Sequence, residues 1–110
     1  MSRHYFDTNR RGKDIRITAG WDRPLHGFHL AIEYRKTVGD ECPFLFNNLE
    51  LENPHPKSFQ PFLDILHSYG IHLPAEMIEE IIEDGAQDMG NKDVIHRVND
   101  GAYERKELPS

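Results

Sequence analysis

The sequence predicts an α+β fold: a three-stranded antiparallel sheet with two helices packed on one face, and residues 91–98 as either a fourth strand or an extended segment laid across the helices. Three observations predict it. Residues 14–46 carry apolar side chains at alternate positions, residues 58–90 carry them at helical spacing, and the polar, proline-broken ELENPHPK separates the two regions.

The first strand is KDIRITAG, with Ile15, Ile17 and Ala19 on one side and Asp14, Arg16 and Thr18 on the other. GFHLAIEYR is the second, its Phe28, Leu30, Ile32 and Tyr34 sharing a face. Pro24 and Gly27 punctuate the loop between them. A turn at TVGDE leads to the third strand, PFLFNNL, with Phe44 and Phe46 inward and Pro43 at its start, where a strand tolerates proline.

Ser58 is placed to cap the first helix, whose Phe59, Phe62, Leu63, Leu66 and Tyr69 form one stripe and whose end falls at Gly70. Pro74 opens the second helix and Gly90 closes it. At about 100° per residue, Met77, Ile78, Ile81 and Ile82 fall on its apolar half. Glu76, Glu79, Glu80 and Glu83 fall on the other half with Asp84, and Asp88 lies at the border. The expected core joins these four apolar residues to the inward strand positions and to Phe59, Phe62, Leu63 and Leu66. One domain over residues 1–98 and a flexible C-terminal tail over 99–110 complete the expectation, because the tail has too little apolar content to order itself.

Charge is distributed unevenly. The net charge is −6; residues 1–40 hold eight Lys/Arg against five Asp/Glu, residues 41–91 hold Lys57 against ten acids, and residues 92–110 balance. Within residues 74–90 the pairs Glu76–Glu80, Glu79–Glu83, Glu80–Asp84 and Asp84–Asp88 repel at i, i+4. In an isolated helix this costs about 1–2 kcal/mol in all. The macrodipole favours Glu76, Glu79 and Glu80 near the helix start, but opposes the later acids. Simple solvation is the plain reading of such a face; otherwise something outside the helix tolerates or uses the charge.

Basic residues of the first third, Arg10, Arg11, Lys13 and Arg16, could lie against it within the fold or across a homodimer. A basic protein surface could dock on Glu76, Glu79, Glu80, Glu83, Asp84 and Asp88, or these acids could imitate a phosphate backbone as an inhibitor. The favoured expectation is a non-enzymatic interaction module that meets a basic partner. A nucleic-acid binder using Arg10, Arg11, Lys13, Arg16 and Arg35 on the sheet is the alternative, against which the acidity of the whole chain argues.

No G-x-S-x-G or glycine-rich phosphate cradle occurs, so an enzyme is not expected. The seven histidines show no HExxH or similar spacing, and His55, His72 and His96 read as isolated, so neither metal nor cofactor is expected. No apolar run is long enough to span a membrane. A single cysteine, Cys42, cannot form an internal disulfide, which together with a polar N-terminus makes a reducing cytoplasm the expected compartment. The frame GWDRPL, GFHLAIEY, FLFNNL, LPAEMIEEIIED and MGNK, within residues 14–95, resembles a small bacterial protein family with no assigned activity. That resemblance implies a bacterial accessory protein and carries no functional residue with it.

Overall fold

A computed structural model describes residues 1–36 and 43–109, so the turn expected at 37–41 and the thiol of Cys42 lie outside the described residues. The chain runs β1 (Ser2–Arg10), β2 (Lys13–Asp22), β3 (Gly27–Tyr34), β4 (Phe44–Asn47), α1 (Gln60–Ser68), α2 (Ala75–Ala86), β5 (Lys92–Asn99) and β6 (Ala102–Glu107). The strands form one six-stranded sheet in the order β4-β3-β2-β1-β5-β6. Neighbours are antiparallel except β1 and β5, which are parallel. The expected three- or four-stranded antiparallel sheet is therefore wrong: the sheet is larger and mixed.

The two strands absent from the expectation are β1 and β6, and both are hairpin partners. Arg11 and Gly12 join β1 to β2 with φ of 53° and 80°; Asp100 and Gly101 join β5 to β6 with φ of 51° and 80°. Two successive left-handed residues make the tight turn whose twist suits a two-stranded hairpin, and Asp-Gly is among its preferred sequences. Residues 99–110 are accordingly not a loose tail: β6 pairs with β5 from Val94–Glu107 to Asn99–Ala102, and Leu108 donates its N–H to the Asp93 carbonyl at 2.7 Å. The boundary at residue 98 would cut a hairpin.

Where the sequence alternates, the registers follow. Ile15, Ile17, Ala19 and Trp21 of β2 stand opposite Tyr34, Ile32, Leu30 and Phe28 of β3. These residues meet Phe62 and Leu66 of α1 and Met77 and Ile81 of α2 in a single core. Two expected core residues are exposed, Phe44 at 39% and Ile82 at 48%, and Tyr34, Leu63 and Ile78 are half-buried against the core. No helix among the described residues is long and apolar enough to cross a membrane.

Candidate functional site on helix α2

The register brings five polar residues beneath α2. Ser2 and His4 of β1 share the helix-covered face with Ala19, and Lys92 and His96 of β5 and Arg105 of β6 follow from the pairings. On α2, Asp84 is one turn beyond Glu80 and turns inward with Met77 and Ile81.

Buried His4 sits between two partners. Its Nε2 lies 2.6 Å from Asp84 Oδ2, and its Nδ1 lies 2.8 Å from His96 Nε2. His96 Nδ1 in turn lies 2.7 Å from the Tyr103 hydroxyl. With one proton on each ring, the chain closes without a gap. The Tyr103 hydroxyl donates to His96 Nδ1, His96 Nε2–H donates to His4 Nδ1, and His4 Nε2–H donates to the Asp84 carboxylate.

Lys92 Nζ donates to Asp84 Oδ1 at 2.6 Å and pairs with Glu80 Oε2 at 2.9 Å. Arg105 grips Glu80 with Nε and Nη2 at 2.6 and 2.8 Å, a two-pronged bond matched to carboxylate geometry. These bonds set the protonation states. Arg105, aided by Lys92 and opposed by burial, lowers the Glu80 pKa to about 2. Burial pushes Asp84 upward, but hydrogen bonds from His4, Lys92 and Ser2 outweigh it and leave the carboxyl below its ordinary range. Burial, with the neighbouring His4 acting the same way, lowers the His96 pKa to about 4.

His4, Glu80 and His96 each offer a ligand atom, and the three atoms lie within 4.8 Å of one another. The surroundings oppose a dication there. Glu80 is already matched by Arg105 and Lys92, so an added ion would stand beside two fixed cations in a poorly solvated site. The two facing nitrogens, 2.8 Å apart, are also closer than the roughly 3.3 Å they would adopt around a tetrahedral ion. The cluster is a closed structural network.

The expected acidic face is thus divided. Asp84 is 1% exposed and Glu80 is doubly paired, so both face inward and neither is free for a partner. Asp88 is not on the helix at all: α2 ends at Ala86, short of the expected Gly90, and Asp88 takes a left-handed φ of 49° beyond it. Its carboxylate accepts from Trp21 Nε1 at 2.8 Å and lies 3.4 Å from Arg23, which fastens the helix end to β2. Glu76, Glu79 and Glu83 remain exposed, and no cation among the described residues pairs with them. Glu83 accepts a bond from Gln87.

Arg10, Lys13, Arg16 and Arg35, expected to answer α2 or to form a basic face, are engaged elsewhere. Arg16 binds Asp7 through two bonds of 2.7 and 3.0 Å, and Arg35 approaches the same carboxylate at 3.5 Å. Arg10 donates to the Tyr69 carbonyl and stacks on that ring, while Lys13 sits over Tyr34. Arg11 occupies the β1–β2 turn and is exposed.

Beside the exposed strip is an apolar groove of about 430 Å³ between the start of α1 and the end of α2. Trp21 and Phe28 form its floor, and Phe59, Leu63, Ile82 and Ala86 its walls. Gly85 lets the helix approach this floor: a Cβ there would lie 2.6 Å from Phe28 Cζ. Sequence reading missed His4, His96, Lys92 and Arg105 as a group because they lie on strands that pair only in three dimensions. The Asp100-Gly101 turn signal was the one local hint that Arg105 would fold back toward α2. No family model, no curated protein and no solved structure matches the chain.

Proposed function

We propose that the protein is a non-enzymatic interaction module that meets a basic protein surface with the outer edge of α2, through Glu76, Glu79 and Glu83. One observation carries the reading. Cations from β5 and β6 neutralise the inward acids of this helix, while the three outward acids keep their charge facing solvent. An unpaired acidic strip favours encounter with a cationic partner over long range and at low salt. We expect a reducing cytoplasm as its setting, on the strength of its single cysteine.

Imitation of a phosphate backbone has less support, since it would need the acids that the fold has turned inward or fastened to Trp21 and Arg23. Direct nucleic-acid binding has less support for the matching reason on the sheet, where Arg16 and Arg35 are held by Asp7.

The test is an affinity capture from the source organism with the wild-type chain and with a Glu76→Gln/Glu79→Gln/Glu83→Gln variant. The wild type should retain a basic protein in a salt-dependent manner, and the variant should fold and lose it. Equal recovery by both would reject the reading.

A further inference from the structure

We infer that the groove between α1 and α2 seats a large apolar side chain of a basic amphipathic helix, so that the partner's chemistry is cationic on its flanks and apolar on one stripe. The inference rests on the reading of the outer strip given above and adds which kind of partner that strip receives.

Three observations lead there. Of the chain's nine isoleucines only Ile82 is exposed, and it stands on the lip of the groove. Glu79 and Glu83 lie a turn apart on the same helix, at the i−3 and i+1 positions from Ile82, and both are exposed. On the opposite wall Gln60 holds the exposed carboxylate of Asp64 at 3.0 Å. Acid thus stands next to the lining residues of both helices, Glu79 and Glu83 beside Ile82 and Asp64 beside Leu63; the one cation among the described lining residues, Lys57, is turned to the His26 carbonyl.

The occupant's secondary structure follows from the walls. The α2 wall is a helix whose backbone groups bond internally, and the opposite wall is the short approach to α1 and its first turn, so the groove offers a partner side-chain contact but no strand edge to pair with. An extended segment would enter with its own backbone unmatched, whereas a helix arrives already satisfied. Acid beside both walls and an apolar floor then select a helix with Lys or Arg on either side of an apolar stripe.

The test uses two synthetic helical peptides without tryptophan and with identical Lys content. One has a Leu/Phe stripe at i, i+4 and i+7, and the other has Gln at those positions. Trp21, the chain's single tryptophan, lines the floor, so its emission reports occupancy. The striped peptide should bind at least tenfold more tightly, shift the Trp21 emission, and lose that advantage on Ile82→Gln. Equal binding of both peptides with unchanged emission, still abolished by Glu79→Gln/Glu83→Gln, would overturn the groove while leaving the acidic strip standing. Binding of neither would overturn both. Sedimentation of the protein alone gives the remaining outcome: a dimer dissolved by Ile82→Gln would make a second copy the occupant and overturn the inference.

Discussion

His4 Nδ1 lies 2.8 Å from His96 Nε2, a bond that links β1 to β5 across the parallel step of the sheet and ties both to Asp84 above them. Burial at this contact penalises charge on His96, and the consequence is a pH dependence with a definite sign. The His96 pKa falls from an ordinary 6.5 to about 4 on folding, chiefly through burial. The unfolded chain therefore takes up a proton between these values that the folded chain refuses. Stability is full above pH 6.5 and declines toward pH 4, by roughly 3 kcal/mol from this residue at most. Buried His29 shifts in the same direction. Below about pH 4.5 the lowered pKa values of Glu80 and Asp84 extend the loss. Urea midpoints should hold between pH 7.5 and about pH 6.5 and then fall toward pH 4, and His96→Gln should flatten the upper part of that fall. A flat wild-type curve from pH 6.5 to pH 4 would contradict the lowered pKa of buried His96.

Gly85→Ala should destabilise, although the same change inside an exposed helix usually gains up to about 1 kcal/mol. The added Cβ would stand 2.6 Å from Phe28 Cζ and 3.2 Å from Trp21 Cε3, so α2 must lift from its floor. Overpacking of this kind costs about 1–3 kcal/mol, which outweighs the propensity gain. Thermal melts of the two proteins decide it, and a higher midpoint for the variant would show that the helix does not rest on Phe28.

Deleting residues 99–110 removes β6, and with it the Tyr103 bond to His96 and the Arg105 grip on Glu80. It also opens an edge on β5. A loss of at least about 2 kcal/mol is expected, a fall of roughly 8–16 °C in Tm for a domain of this size. An unpaired strand edge should bring aggregation on heating as well. A truncated chain that melts like the full one would restore the loose tail.

How much of this was legible in the sequence divides along local and non-local lines. Alternation placed Ile15, Ile17, Phe28, Leu30 and Ile32 on one buried face, and helical spacing placed Phe62, Leu66, Met77 and Ile81 opposite them. Both signals are written into neighbouring residues. β1 and β6 read SRHYFDTNR and AYERKE, too polar for a burial pattern; pairing and side-chain bonds hold them instead. Asp84 fell on the polar half of the helix because its type is acidic; only the arrival of His4 and Lys92 makes an inward carboxylate stable. Ile82 failed in the opposite sense, since hydrophobicity alone cannot say which apolar side chain a neighbouring element leaves uncovered.

The division of α2 into inward and outward acids is tested most directly by urea unfolding of two variants at pH 7. Asp84→Ala strips Lys92 and His4 of their buried partner and should cost about 3–5 kcal/mol. Glu76→Gln/Glu79→Gln/Glu83→Gln should stay within about 0.5 kcal/mol of wild type or gain slightly, as i, i+4 repulsions disappear. Comparable losses in both would contradict the account, because the outer strip would then be part of the scaffold rather than a surface free to meet a partner.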